Sequence, residues 1–231
     1  MRINKLMADR GIASRREADA FIAAGKVKVN GKPAVVGQQV NETDEISVDG
    51  LDKQKKIYLA YYKGRGIITH SPGANETDIK TQLSARSDLG GASPVGRLDK
   101  DSEGLMILSN DGRITGPLLD PNAKHEKEYE VSVDKPTKGS FLKRLENGVN
   151  IEGYTTKPAK AKRVSDTRFS LTLTEGKKHQ IRRMCAALGY QVQNLKRVRI
   201  MTIELGKLKP NQYRKITGAE LKKFLASLQI I

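Results

Sequence analysis

SRREADAFIAAGKVKVNGK, residues 14–32, fixes the first structural unit of this chain. Ser14 and Glu17 form a capping box, in which a hydroxyl and a carboxylate satisfy the free amides at a helix start. Ala18, Phe21 and Ile22 continue one helical face as far as Gly25, a helix-stopping residue. Val27 and Val29 then alternate with lysines up to Asn30-Gly31, the strongest short hairpin signal. Upstream, Ile3, Leu6 and Met7 have helical spacing. Residues 1–32 hold eight Lys/Arg against Asp9, Glu17 and Asp19. The cations gather on the second helix and the hairpin, where Arg15, Arg16, Lys26 and Lys28 can follow a phosphate backbone. Residues 1–48 therefore read as a helix–hairpin module, and the polar, unpatterned 49–56 as a linker.

Residues 57–231 read as one mixed unit. Strands are expected at Ile57–Tyr62, Leu105–Ser109, Glu128–Asp134, Arg168–Thr174 and Arg199–Leu205. Helices are expected at Thr77–Leu83, Gly139–Leu145, Lys177–Leu188 and Thr217–Leu228, the last opened by a second capping box, Thr217 to Glu220. Strands and helices do not alternate strictly. The fold class is therefore α+β, with a mixed or antiparallel sheet.

The chain of 231 residues carries a net charge of +16, and 37% of it is hydrophobic. Residues 157–215 hold sixteen Lys/Arg against Asp166, Glu175 and Glu204. Such clustering points to nucleic acid more than to a merely soluble surface. No apolar run reaches the roughly 20 residues of a membrane span, so a membrane partner is not expected. Cys185 is the only cysteine. That excludes an internal disulfide and suits the reducing cytoplasm. The absence of an obvious apolar patch favours a monomer.

Against this cationic background, Gly96-Arg97-Leu98-Asp99-Lys100-Asp101-Ser102-Glu103-Gly104 presents a carboxylate. In an extended segment Arg97 and Asp99 project to the same side. A surface salt bridge is the bland reading, and nucleophilic attack on an extruded nucleotide the sharp one. A calcium loop is excluded, because its twelfth position is Asn110 rather than a bidentate Glu. A second cluster is Glu175-Gly-Lys-Lys-His-Gln-Ile-Arg-Arg-Met184. Arg182 and Arg183 lie about 100° apart around a helix, so one can meet Asp99 while the other meets phosphate. Met184 and Cys185 are expected in the core. Tyr129, in Lys127-Glu-Tyr129, can offer a stacking face with a polar tip. His70, His125 and His179 lack metal-ligand spacing. There is no P-loop, dinucleotide fingerprint or nucleophile elbow. Neither metal nor organic cofactor is expected.

The first 48 residues resemble the RNA-binding domain named for ribosomal protein S-four, through Arg2, Leu6, Gly11, Ser14-Arg-Arg-Glu-Ala18, Gly25, Val27, Val29, Asn30-Gly31 and Val40. The whole chain resembles the RsuA/RluB/RluE/RluF family of bacterial ribosomal RNA pseudouridine synthases. The matching residues are Gly96-Arg-Leu-Asp99, Ser102, Gly104-Leu105, Lys127-Glu-Tyr129 and His179-Gln-Ile-Arg-Arg-Met184. His125-Glu-Lys-Glu-Tyr129 and Arg199-Ile-Met201 are nearest to the RluF-type large-subunit enzymes. One departure is Lys63-Gly-Arg-Gly66, where the family commonly has Lys-Pro-x-Gly. A missing Pro loosens that turn.

The resemblance implies isomerisation of a uridine in ribosomal RNA, 23S before 16S or transfer RNA, without a cofactor. It implies that Asp99 is the nucleophile, attacking either the sugar or the ring, and that Arg182 is its ion-pair partner. Tyr129 would stack on the base, Ile181 would pack beneath it, and Arg97 would fill the gap left in the RNA. Lys127 and Arg183 would assist RNA binding. The rival, a catalytically silent RNA-binding or ribosome-assembly factor, shares the charge and the N-terminal module but has no need of Asp99, Tyr129 and Arg182 together.

Overall fold

A computed structural model describes residues 1–50, 56–70, 77–83, 89 and 91–230. Most of the expected linker, 51–55, lies outside the described residues.

The N-terminal unit comprises α1 (Ile3–Asp9), α2 (Arg15–Ala23), β1 (Val27–Val29), β2 (Lys32–Pro33) and β3 (Ile46–Val48). Its capping box is complete. The Glu17 amide donates to Ser14 Oγ (3.3 Å), and the Ser14 amide donates to the Glu17 carboxylate (2.8 Å). Asn30 and Gly31 both have positive φ, +49° and +78°, the geometry of a type I′ turn. The strands pair antiparallel in the order β2-β1-β3. Ile3, Leu6, Met7, Ala18, Ile22, Val27 and Val29 close a core of their own. The Lys56 ammonium donates to the Gly11 carbonyl (2.5 Å), tying this unit to the next.

The larger unit starts with β4 (Tyr58–Lys63), α3 (Ile79–Leu83), β5 (Ser93–Val95), β6 (Glu103–Ser109), α4 (Thr115–Leu119) and β7 (Lys127–Val133). It continues with α5 (Gly139–Asn147), the short pair β8 (Asn150–Ile151) and β9 (Tyr154–Thr155), then β10 (Lys160–Arg163), β11 (Arg168–Leu173) and α6 (Gln180–Ala187). It ends with β12 (Val192–Ile200), β13 (Ile203–Glu204), β14 (Tyr213–Lys215) and α7 (Gly218–Ser227). The main sheet runs β10-β11-β7-β12-β6-β4-β14. Its pairs are antiparallel except β12 with β6, which is parallel. The class is α+β with a mixed sheet.

β4 is buried on both faces, which explains its unbroken apolar reading. Tyr58, Ala60 and Tyr62 share a core with Phe224 and Leu225 of α7. Leu59 and Tyr61 meet Leu98, Met106 and Leu108 on the opposite side. α5 and α6 cover the β7–β11 half, with Phe141, Leu145, Met184 and Cys185 packed on Val131, Phe169 and Leu171.

Two expectations need correction. No single strand runs over Arg199–Leu205. The long strand is β12, Val192–Ile200, and the chain turns at Met201 (φ +51°) before β13. Lys196, Arg197 and Arg199 hid it, because a register shift between 197 and 199 breaks the period of two. Nor does the second capping box form. Thr217 makes no side-chain cap, and the Glu220 carboxylate takes a bidentate bond from Arg214 (2.6 and 2.7 Å) instead. The charge-assisted pair is the stronger partner for that carboxylate.

Candidate active site

Asp99 sits in the connection from β5 to β6. Leu98 is its anchor, 9% exposed, in the cluster around Tyr61 and Met106. Thr69 grips Leu98 from both sides: its hydroxyl donates to the Leu98 carbonyl (2.8 Å) and accepts from the Leu98 amide (3.1 Å). Alternation then turns Arg97 and Asp99 outward, as expected for extended chain. The Ser102 amide closes a turn on the Asp99 carbonyl (3.1 Å). Lys63, with no exposed surface, supports that turn from below. Its ammonium donates to the carbonyls of Ile67 (2.7 Å), Gly64 (3.1 Å) and Lys100 (3.4 Å). Burial pushes the Lys63 amine down to about 8, and the nearby Asp99 charge opposes that fall.

The opposite wall is the loop before α6. Glu175 is buried, and accepts from Tyr154 Oη (2.5 Å), Gln180 Nε2 (2.7 Å) and the Lys157 amide (3.0 Å). Burial raises its carboxyl, but these hydrogen bonds outweigh burial and hold it below the usual carboxylate range. His179 follows in a left-handed conformation (φ +53°), a strained setting for a non-glycine residue. That backbone brings its Nε2 to 4.0 Å from Asp99 Oδ1.

Between these walls lies a cavity of about 860 Å³. Asp99, Tyr129, Ile181, Arg182, Arg97 and Lys127 all line it, although they come from separate segments of the chain. The Asp99 side chain is 39% exposed, so it is open to a substrate. Tyr129 and Ile181 are buried in the wall, and Arg97 is exposed at the rim.

The expected Asp99–Arg182 ion pair is not formed. Among the described residues no guanidinium lies within 4.0 Å of the Asp99 carboxylate, where His179 stands instead. The Arg182 fork is spent on the carbonyls of Asp101 (2.9 Å) and Val192 (3.2 Å), with Ser102 Oγ at 3.5 Å. It staples the Asp99 turn to the start of β12. Arg183 points elsewhere, donating to the Glu152 carboxylate (2.5 Å) and to the Ile151 carbonyl, and does not line the cavity. The two adjacent helical positions face different ways, as their angular separation requires. Arg15, Arg16 and Lys26 are exposed on the N-terminal unit, while Lys28 pairs with Asp49 (3.3 Å).

Sequence reading missed Thr69, Lys63, Glu175, His179 and Arg197. Thr69, His179 and Arg197 act through partners distant in sequence, and Lys63 and Glu175 combine near partners with distant ones. Glu175 and His179 had a signal, their place inside the second cluster, and Lys63 its place in the Lys63-Gly-Arg-Gly66 turn.

Residues 57–187 match the family model described as RNA pseudouridylate synthase, and residues 1–46 match the S4 domain. The chain is 38% identical over 226 residues to the dual-specificity RNA pseudouridine synthase RluF of Escherichia coli, covering 96% of this chain and 77% of that protein. It is 35% identical over 234 residues to ribosomal large subunit pseudouridine synthase B of Bacillus subtilis, covering 97% and 96%. A crystal structure of a pseudouridylate synthase superposes with a TM-score of 0.71 at 28% identity, covering 99% of both chains. With an open carboxylate, a buried tyrosine and an S4 domain in one polypeptide, the chain belongs to the RNA pseudouridylate synthase family.

Proposed function

We propose that this pseudouridine synthase acts on ribosomal RNA, 23S before 16S or transfer RNA, as a cytoplasmic monomer. Residues 1–48 serve as its RNA-binding module and residues 57–231 as its catalytic domain. The observation that carries the reading is the Asp99 carboxylate, open to a cavity that it shares with Tyr129 and Ile181.

The uridine leaves its stack and enters this cavity, at a cost of about a few kcal/mol that is least where the base is unpaired. Tyr129 stacks on the ring and Ile181 packs beneath it. Arg97, at the rim, takes the vacated place in the RNA, since a guanidinium plane stacks well and meets phosphate. Asp99 is the nucleophile. The carbon–nitrogen bond to ribose is exchanged for a carbon–carbon bond at C5, so no external energy source is required. Arg182 acts as a positioning residue, holding the Asp99 turn against β12. Phosphate contacts from Arg15, Arg16 and Lys26 offset the cost of flipping. A silent RNA-binding factor is not favoured, because it has no use for this constellation.

The test is a map of pseudouridines in ribosomal and transfer RNA from cells with and without the gene. One missing pseudouridine in 23S RNA is expected, and an unchanged ribosomal RNA map overturns the substrate assignment. The module's role has its own readout. Replacing Arg15 and Arg16 together by Ala should flatten the log–log salt dependence of RNA binding by about 0.7–0.9 for each phosphate no longer neutralised. An unchanged slope means those guanidiniums do not meet phosphate.

A further inference from the structure

The sheet that presents Tyr129 also presents two cations without an anionic partner. Arg197 on β12 stands opposite Tyr129 on β7 in the antiparallel register, so the two side chains share one face. Lys127 lies two residues before Tyr129 and projects from that face as well. Both line the cavity. Arg197 is only 5% exposed. Its Nε donates to the Leu105 carbonyl (2.8 Å), one Nη reaches the Arg97 carbonyl (3.5 Å), and the other faces the Met106 sulfur. All three partners are neutral. Burial and the Arg197 charge both push the Lys127 amine down. Among the described residues, no carboxylate lies within 4.0 Å of either cation. A buried cation with no counter-charge is costly, and a second, half-buried cation beside it adds to the cost. The arrangement becomes favourable when an anion arrives from outside.

Resting on the proposed reaction, we infer that Arg197 and Lys127 form an anion pocket for the uracil carbonyl oxygens as the ring takes up negative charge during isomerisation. Both possible orders of attack generate that charge. If Asp99 bonds to C1′, the C1′–N1 electron pair stays with the ring and spreads over N1, O2 and O4. If Asp99 adds to C6, the displaced pair moves through C5 to O4, and the C1′–N1 bond then breaks with its electron pair left on the ring. In either order the ring's C5 bonds to C1′, Asp99 departs as a free carboxylate, and the C5 proton is exchanged for one at N1. Cations aimed at developing charge in a water-poor site stabilise the transition state more than the ground state. Backbone phosphate stays with the cations of the rim, because Arg197 lies too deep to reach it.

The test uses ribosomal RNA transcribed with uridine or with 5-fluorouridine, read at the mapped site under single-turnover conditions. Fluorine at C5 withdraws electrons and stabilises the ring anion, so a fluorinated ring needs the cations less. Lys127→Gln and Arg197→Gln are each expected to slow uridine conversion about 100-fold. Consumption of fluorouridine should fall at least ten times less. Arg197→Lys, which keeps the charge, should restore most of the rate. Equal losses on both RNAs, or a loss confined to RNA affinity, overturn the inference. Lys127 donates no side-chain hydrogen bond among the described residues, so Lys127→Gln keeps the test open if Arg197→Gln fails to fold. Failure of the unaltered protein to convert uridine would count against the proposed function instead.

Discussion

Asp99→Asn is expected to abolish pseudouridine formation, by at least about 10⁴-fold, the scale on which loss of a covalent nucleophile is felt. The substitution keeps shape and removes the charged oxygen of the proposed nucleophile. The loop should survive it. Leu98 stays anchored, Thr69 still grips the Leu98 backbone, and the Ser102 amide bonds the residue-99 carbonyl rather than its side chain. The only ion-pair contact of the carboxylate within 4.0 Å among the described residues is with His179, at the limit of that range and half in solvent. Stability should therefore change by about 0.5 kcal/mol or less, as at other surface positions. RNA affinity should hold or rise slightly, because one negative charge leaves a cationic groove. The measurement is pseudouridine yield alongside a filter-binding titration on the same RNA. Near-normal yield would remove Asp99 from the chemistry, and a collapse of affinity would mean that it binds rather than attacks.

Much of this arrangement could be read from the chain alone. Ser14, Glu17 and Asn30-Gly31 act within a few residues, so local rules captured the N-terminal unit. The alternation that puts Leu98 inward and Asp99 outward is equally local. What escaped was decided at long range. The Arg182 guanidinium finds the Asp101 carbonyl 81 positions away. That carbonyl is displayed by a turn whose support comes from Lys63, 37 positions from Lys100, and Thr69, 29 positions from Leu98. A sequence window contains none of those partners, so an ion pair with the nearest functional carboxylate was the natural expectation. Glu220 shows the same limit: its cap position was correct by spacing, but Arg214 competed for it and won. β12 failed for a third reason. Its two faces carry opposite tasks, with Lys196 and Arg199 meeting Glu130 and Glu128 on one side and Arg197 entering the cavity on the other. Charge on both faces, plus a bulge, leaves no apolar alternation to detect.

β6, the strand that pairs with β12, carries the largest expected stability effect, at Gly104→Ala. Gly104 opposes Arg197 at the single parallel joint of the sheet, between β6 and β12. Its φ is +110°, a conformation that side chains rarely tolerate. A Cβ placed there would lie 2.3 Å from the Arg197 carbonyl oxygen and 2.6 Å from its nitrogen. Those are backbone atoms locked into pairing on both sides, so they cannot swing aside as a long side chain would. Strain at positive φ costs about 1–3 kcal/mol. Overpacking adds about 1–3 kcal/mol. At roughly 2–4 °C per kcal/mol for a domain of this size, Tm should fall by about 10 °C. Gly139→Ala is the matched control, since no atom lies within 4 Å of its added Cβ and its φ is ordinary. That variant should melt with the unaltered protein or slightly above it, by about 0.5 kcal/mol from reduced freedom of the unfolded chain. If Gly104→Ala melted as the control does, β6 and β12 would not approach so closely, and the placement of Arg197 beside Tyr129 would lose its support.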